Sequence, residues 1–496
     1  DPLNTEASPI QFANAQILGY RSTQNPFPDL TYNDNRLKIR KMLATVFFNY
    51  EILEDKLDFK TTYSHDFSAL EERYVNLPYT LGNNVEVRSS ITRANNKYSN
   101  QYWDNVLTFV DNFGDHDLTL MAGTSFRDEA ANNFSATGQD IAGIRFESSW
   151  YLDFADNESF NNNVGEIGRR YYGISYFGRI AYNFKDKYLL YGTFRADGSS
   201  KFTLDPWGYF PSVGLGWVVS EESFMKNVEV LDFLKLRASW GKLGNDNVAA
   251  SAGSNTITVI TGAIGEQPRT GITSTSVFSN NTWEVIEEKN FGIDLEAFLN
   301  RLSFTADYYI RDTEDAILPV YIPIVNRSVA RNSGVIRNQG LELSANWNSK
   351  IGEDFNYSIG ANFTTLKNQA IEIEGESGYI DSGSAEFRQR TMEGGPLFGF
   401  YGYERVGVYQ NAAEIAADPV AVANNLVPGD LIYRDQNGDN IIDDADRVIL
   451  GSFLPDYTYG GNLGANYKGF DFSVLFQGAG GVAKNPMPST NPHFNK

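Results

Sequence analysis

Residues 435–446, DQNGDNIIDDAD, combine residue types and a spacing that could bind a metal ion. Oxygen donors fall at positions 1, 3, 5, 7, 9 and 12 of this stretch, where position 7 would use its backbone carbonyl; they belong to Asp435, Asn437, Asp439, Ile441, Asp443 and Asp446. Oxygen ligands at this spacing suit a hard cation. The aspartates between 430 and 446 would also repel one another without a cation. The stretch therefore predicts a calcium (Ca2+) site, and an ordinary acidic turn is the alternative.

The stretch is similar to EF-hand and dockerin calcium loops, because Ile442 occupies their apolar position 8. It departs from them at two positions. Position 6 is Asn440 where glycine is usual, although asparagine tolerates a left-handed backbone better than most residues. Position 12 is Asp446, which is shorter than the usual glutamate.

The sequence contains no other motif that points to chemistry. It has no cysteine, so a thiolate nucleophile, a disulfide and an iron–sulfur cluster are excluded. Its histidines, His65, His116 and His493, are too far apart for a metalloprotease motif, and neither a GxSxG nor a Walker A motif is present. With 62 acidic and 41 basic residues, the net charge of −21 argues against nucleic acid as a partner. We therefore expect a protein that is not an enzyme.

Apolar and polar residues alternate with a period of two through most of the chain. Residues 302–310, LSFTADYYI, place Leu302, Phe304 and Tyr308 on one face and Ser303 and Asp307 on the other. The same alternation recurs at 234–240, 341–348 and 355–364. Aromatic residues make up 14% of the chain, and they begin or end many of these segments. The pattern predicts an all-β protein with one apolar and one polar wall, which fits either a soluble sandwich or an outer-membrane barrel.

The connections favour the barrel, because tight turns alternate with long polar loops. Short turns are expected at 54–56, 114–115, 185–187, 300–301, 350–354 and 468–469, and long loops at about 68–98, 129–170, 245–286, 313–337 and beyond 367. Outer-membrane barrels have short periplasmic turns and long extracellular loops.

The turns and loops delimit about fourteen spans, an even number that leaves both chain ends outside. The expected spans are 37–52, 57–67, 99–112, 116–128, 171–184, 188–197, 209–219, 234–244, 287–299, 302–312, 338–348, 355–367, 458–468 and 470–480. Residues 368–457 form one large extracellular excursion with strands of its own, and the loop at 435–446 lies within it.

Five stretches resemble, in the same order, the SusC/RagA-type TonB-linked outer-membrane transporters. They are 195–224 (RADGSSKFTLDPWGYFPSVGLGWVVSEESF), 287–309, 336–347 (IRNQGLELSANW), 394–409 (GGPLFGFYGYERVGVY) and 429–451. The resemblance implies a transmembrane antiparallel β-barrel, about 22-stranded, whose lumen is closed by an N-terminal plug. Against this family pattern, residues 1–496 are expected to be without the plug, the TonB-contacting segment and an aromatic-ended last strand after His493. We therefore expect residues 1–496 to be a partial barrel, an internal fragment of a longer protein.

The resemblance also implies a function and partners. It implies import of glycans or peptides across the bacterial outer membrane, in contact with outer-membrane lipid, together with a SusD-like surface lipoprotein and the TonB complex. A secreted, calcium-stabilised β-rich adhesin or binding module is the alternative. The aromatic residues are expected to pack on strands or to face lipid, although Trp103, Trp150 and Trp283 in or near the loops could stack on sugars. The sequence identifies no substrate-binding residue.

Overall fold

The computed structural model describes residues 3–4, 11–12, 27–81, 84–144, 146–156, 163–202, 205–248, 257–264, 267–274, 281–322, 327–375, 378–384 and 387–483. His493 lies outside these residues. Every helix among them is too short or too polar to cross a membrane.

Fourteen long strands, numbered β1 to β14 in chain order, form one continuous antiparallel meander. They are β1 (Asn33–Leu53), β2 (Leu57–Asn76), β3 (Ser90–Phe113), β4 (His116–Gln139), β5 (Asn163–Phe184), β6 (Tyr188–Ser199), β7 (Trp207–Val218), β8 (Leu231–Asn245), β9 (Glu284–Ala297), β10 (Leu302–Glu314), β11 (Gly334–Ile351), β12 (Phe355–Thr365), β13 (Tyr457–Tyr467) and β14 (Phe470–Gly480). Each strand pairs with the next along the chain. Strands β1 and β14 are the two edges of this sheet, and no described strand pairs with their outer sides. The predicted all-β fold is confirmed.

The pairing register keeps the apolar and polar residues on separate faces. Leu236, Ile293, Ala306 and Leu343 occupy directly paired positions on β8 to β11. One residue further along, Arg237, Gly292, Asp307 and Glu342 are paired in the same way on the opposite face. Since a slip of one residue would exchange the faces, the alternation in the sequence fixes the register. The apolar face remains exposed, as Phe291 (57%) on β9 illustrates.

The tight turns lie at one end of the sheet. The backbone turns with positive φ at Asp55, Gly114, Lys185–Asp186, Phe298–Asn300, Gly352 and Lys468–Gly469. Two consecutive residues with positive φ, as at Lys185 and Asp186, are typical of a type I′ hairpin turn. The twist of this turn matches that of the flanking strands. The predicted short turns are all present.

The prediction of long loops at 68–98 and 129–170 was wrong over much of their length. Strands β2 to β5 continue through 68–76, 90–98, 129–139 and 163–170, which gives β3 and β4 24 residues each. The polar residues of these extensions bond across the strands. Thr92 and Thr137, for example, are 2.8 Å apart between their hydroxyl oxygens. The pairing therefore continues where the apolar alternation that marks a membrane span has ended.

Shorter elements make up the rest of the described chain, and among them Val219–Glu221 and Ser223–Met225 lie at the turn end, between β7 and β8. The two-stranded pairs are Leu3–Asn4 with Gln11–Phe12, Tyr79–Leu81 with Asn84–Glu86, Ile257–Ile264 with Gln267–Ser274, Ile317–Ile322 with Arg327–Asn332, and Arg405–Val408 with Leu431–Tyr433; Lys367–Ile373 pairs with β11. Tyr379–Gly383, Arg388–Met392, Gly399–Tyr403 and Arg447–Gly451 form a four-stranded sheet. The α-helices are Phe27–Tyr32, Ala412–Ala417 and Pro419–Ala423, and the 3-10 helices are Glu147–Ser149, Leu152–Phe154, Val219–Glu221, Ser223–Met225 and Asp444–Asp446. Residues 368–457 thus have a sheet and helices of their own.

Candidate functional site

The acidic stretch 435–446 folds as a series of side-chain-to-backbone turns. An oxygen of Asp435 accepts the Gly438 N–H at 2.6 Å, and Asn437, Asp439 and Asp443 each accept the N–H two residues on, at 3.0, 2.8 and 2.8 Å. Asn440 has a φ of 65°, so this asparagine adopts the left-handed backbone that a glycine would adopt more easily. These bonds hold the predicted donors in one compact turn.

Asp446 holds that turn in place through hydrogen bonds with its backbone. It is fully buried, and its two carboxylate oxygens accept the N–H groups of Gln436 and Asp443, each at 2.8 Å. These backbone hydrogen bonds, with that from Asp443 the strongest, lower the pKa of Asp446 below its ordinary value. Asp446 therefore stays charged while it fixes the two ends of the stretch to each other.

The six predicted ligands share one turn but not one coordination shell. In the part of the chain that the structure describes, no three histidine or acidic side chains converge as a metal centre would require. The donors are nevertheless the hard oxygens that calcium prefers, and a carboxylate oxygen that accepts one N–H keeps a second lone pair. The donor atoms of the stretch therefore suit calcium, but they would have to move closer together to coordinate the ion.

A second cluster, which the sequence did not indicate, lies in the four-stranded sheet formed by Tyr379–Gly383, Arg388–Met392, Gly399–Tyr403 and Arg447–Gly451. The Arg390 guanidinium lies between the rings of Tyr379 and Tyr401, at 3.6 and 4.0 Å from their centroids, and donates two hydrogen bonds to Asp381 at 2.6 and 2.9 Å. The bonds to Asp381 raise the pKa of Arg390. These four residues come from three strands of the four-stranded sheet and hold it together. Only their spatial arrangement reveals them, because no local sequence pattern marks a stacked arginine.

Tyr409 connects the same region to its helices. Its ring is 4% exposed, and its hydroxyl donates a short hydrogen bond to Asp418, the residue before the helix Pro419–Ala423. Burial and the Asp418 carboxylate raise the pKa of Tyr409 to about 12. Residues 368–457 are thus braced by specific polar contacts.

An aromatic cluster closes the loop end of β6 to β9. Phe202, Phe210 and Trp283 are buried together, and the Trp283 indole N–H donates to the Pro206 carbonyl at 3.0 Å. Trp283 is therefore a packing residue that a sugar cannot reach. Trp150 likewise packs beside Val75, Ile91 and Ile141, whereas Trp103 lies on the exposed apolar face of β3.

Asp246 links three distant segments beside that cluster. Its carboxylate pairs with Arg127 of β4 and accepts the Ser199 hydroxyl at 2.9 Å, while Lys201 donates to its backbone carbonyl at 3.0 Å. Ser199 and Lys201 belong to the RADGSSKF stretch that carried the family resemblance. Their contact with Asp246 gives that stretch a structural role, which the sequence alone did not show.

The polar face of the sheet carries charges and rings. Arg237 bridges Asp294 and Asp307, with nitrogen–oxygen distances of 3.1 and 2.7 Å. A cavity of about 570 Å³ along this face is lined in part by two stacked pairs. Arg179 lies 4.9 Å above the Tyr191 ring, and Arg195 lies 5.4 Å above the Phe177 ring. Such a wall can bind polar molecules through hydrogen bonds and through stacking.

Comparison with known proteins agrees with this architecture. The family described as "TonB dependent receptor-like, beta-barrel" matches residues 3–485. TonB-dependent receptor P3 of Formosa agariphila is 30% identical over 479 residues, which cover 92% of this chain and 46% of that protein. TonB-dependent receptor SusC of Bacteroides thetaiotaomicron is 28% identical, over 91% of this chain and 44% of its own.

A solved structure shows the same fold. The structure of the RagAB peptide transporter superposes with a TM-score of 0.77 at 19% identity, over 92% of this chain and 49% of that one. The chain spans about half the length of the curated relatives that it matches. With its exposed apolar wall, its polar wall and its tight turns at one end, the chain is similar in sequence to SusC and in fold to the RagAB structure. It belongs to the TonB-dependent receptor-like β-barrel family and lies in the bacterial outer membrane.

Proposed function

We propose that the protein takes part in the TonB-dependent import of oligomeric nutrients, glycans or peptides, across the outer membrane. The observation that carries this proposal is the likeness to SusC and to the RagAB peptide transporter over more than nine-tenths of the chain. A secreted adhesin would bury the apolar wall inside a sandwich. Here that wall is a single exposed band, which favours the transporter.

In this proposal the two faces of the sheet have separate tasks. The apolar face contacts lipid, and the polar face lines the path of the substrate. Along that path, the stacked pairs Arg179–Tyr191 and Arg195–Phe177 offer both hydrogen-bond donors and flat rings. Rings and guanidinium groups bind sugars or peptides without demanding one sequence, which suits an importer of oligomers.

The fourteen strands cross the membrane in this proposal, with their tight turns in the periplasm. Residues 368–457 then lie on the outer surface, where a SusD-like lipoprotein would cap the barrel. Their braced sheet and helices give such a partner a firm surface. The TonB complex would act on the plug of the full-length protein.

Uptake of labelled substrates tests the proposal. A strain that lacks the full-length gene should lose uptake of fluorescent oligosaccharides or oligopeptides, and complementation with the intact gene should restore it. Collapse of the proton gradient should abolish uptake in the complemented strain. A SusD-like lipoprotein should co-purify with the transporter. Unchanged uptake of every oligosaccharide and peptide pool in the deletion strain would contradict the proposal.

We also propose that calcium organises residues 435–446. Replacing both Asp435 and Asp439 with asparagine keeps the size of the side chains but removes two of the charges that a cation would neutralise. Limited proteolysis of the full-length protein should therefore show protection of 410–457 by calcium, and the double variant should lose that protection.

A matched control lies in the same turn. Asp444 is not one of the predicted ligands, and its side chain is 77% exposed. The Asp444→Asn variant should keep the calcium-dependent protection. Identical cleavage of the wild-type protein in calcium and in chelator would leave the stretch as an acidic turn.

A further inference from the structure

On the exposed apolar face of β1, the side chains change from apolar to cationic within a few residues. From Tyr50 through Phe48, Val46 and Ala44 to Met42, every second residue is apolar, and Val46, Phe48 and Tyr50 are more than half exposed. The next two residues on the same face are Arg40 and Lys38, and both are exposed. Because residues two apart on a strand share a face, the cations directly continue the apolar band.

The neighbouring strands show the same boundary. Val46 is paired with Tyr63, which is paired in turn with Trp103, so an apolar row with aromatic rings on β2 and β3 crosses β1 to β3 at this level. Rings of this kind mark the edge of the hydrocarbon layer in outer-membrane barrels. The boundary between lipid tails and headgroups therefore lies between this row and the cations.

Three cations form a strip, Lys38, Arg40 and Lys97, on that face. Arg40 and Lys97 flank Ala69 on either side, because Ala69 is paired with both of them. Adjacent strands are about 4.8 Å apart, so the two cations stand roughly 10 Å apart over a small alanine side chain. That gap is open to a group that approaches from the lipid side.

The strip carries more positive charge than its surroundings neutralise. Arg40 is paired with Glu71. Within the described residues, neither Lys38 nor Lys97 has an ion-pair or hydrogen-bond partner. The excess is notable in a chain whose net charge is −21. Because the chain as a whole is acidic, the attraction for anions is confined to this strip.

A loop packs beside the strip, on the side away from the apolar band. Further along the same face, Val75 and Ile91 are completely buried beside Ile141, Trp150 and Leu152, and the Arg73 guanidinium lies 5.1 Å from the Trp150 ring. The strip thus lies between a packed loop and the apolar band. The position suits a molecule with acyl chains against the band and an anionic headgroup at the level of the cations.

We propose that Lys38, Arg40 and Lys97 bind the phosphate groups of an outer-leaflet lipid. Phosphate oxygens accept charge-assisted hydrogen bonds from lysine and arginine, and cations beside an anionic membrane surface each add to the attraction. The acyl chains of that lipid lie on the exposed band of Val46, Phe48 and Tyr50. The site is separate from the substrate path on the opposite face of the sheet.

Binding of lipid A by the purified full-length protein tests the site. In neutral detergent micelles, the wild-type protein should bind phosphorylated lipid A at least about tenfold more tightly than dephosphorylated lipid A. The variant Lys38→Gln/Arg40→Gln/Lys97→Gln should lose this preference. Its folding is checked by the heat-dependent mobility of the barrel in gels.

The control removes the same charge from the turn end. Lys185, Lys350 and Lys468 are exposed there, and the variant Lys185→Gln/Lys350→Gln/Lys468→Gln should keep the full preference. Three results would overturn the proposal: an unchanged preference in the first variant, an equal loss in the control, or displacement of lipid A by an excess of inorganic phosphate. The last result would identify a site for free phosphate instead of a lipid headgroup. The binding measurement does not depend on uptake of substrate. A failure of the lipid proposal can therefore be distinguished from a failure of the import proposal.

Discussion

Replacing Ile293 with arginine is expected to prevent most of the full-length protein from folding into the outer membrane. Ile293 lies on the apolar face of β9, between Leu236 and Ala306 on the paired strands, and its side chain is 40% exposed. A cation on the lipid face of an outer-membrane barrel costs about 2–4 kcal/mol near the middle of the bilayer. That cost is a large part of the stability of an ordinary fold, which is about 5–15 kcal/mol.

The control for this prediction is on the same strand. Asn290 lies on the polar face of β9, paired with Ser239 and Tyr309, so arginine there remains in contact with water. We expect Asn290→Arg to accumulate at the wild-type level and Ile293→Arg to be degraded. The measurement is the amount of heat-modifiable barrel in isolated outer membranes. Equal amounts of the two variants would show that the apolar face does not contact lipid.

Replacing Trp283 with alanine is expected to open the loop end of β6 to β9 while the barrel stays folded. Trp283 is 7% exposed, and it packs at 5.3 Å, between ring centroids, against both Phe202 and Phe210. Removing a buried tryptophan side chain costs about 3–5 kcal/mol, through lost burial and the cavity left behind. The loss should be local, because the cluster contacts only the ends of these strands.

Hydrogen exchange of the full-length protein measures that opening. Backbone amides at 205–210 and 281–285 should exchange faster in Trp283→Ala by about two orders of magnitude or more, whereas amides in the turn-end halves of β6 to β9 should not change. Trp283→Phe keeps most of the packing and loses the bond to the Pro206 carbonyl, so its effect should be small. Trp103→Ala, on the exposed face, should leave these amides as they are. Wild-type exchange in Trp283→Ala would mean that the cluster does not hold the loops.

The sequence predicted those parts of the fold that depend on alternation and on turns. The segment 302–310 has one apolar and one polar side, and β10 places them on the two faces of the sheet. The turn at 468–469 combines a lysine with a glycine, and both adopt positive φ. Short-range patterns of this kind determine which strand pairs with the next.

The remaining features depend on contacts that no local pattern encodes. Strands β3 and β4 continue as polar pairs far beyond the apolar alternation, so their length could not be read from hydropathy. Asp246 meets Arg127 across 119 positions of the chain. The spacing in 435–446 predicted a set of calcium ligands, but it did not show that Asp446 would be buried and would accept hydrogen bonds from the backbone.

The long excursion between β12 and β13 also bears on how the sheet assembles. Every other pair of successive strands is nearer in sequence, so the meander can grow by adding one hairpin at a time. Joining β13 to β12 must bring together residues roughly ninety positions apart, which costs about 3 kcal/mol more in chain entropy than closing a three-residue turn. The Leu366 N–H donates to the Asp456 carbonyl at 2.8 Å, so the two ends of the excursion lie side by side. If the sheet and helices of 368–457 form first, they shorten the loop that must close. Prior folding of residues 368–457 then lowers the entropic cost of joining the last two strands to the sheet.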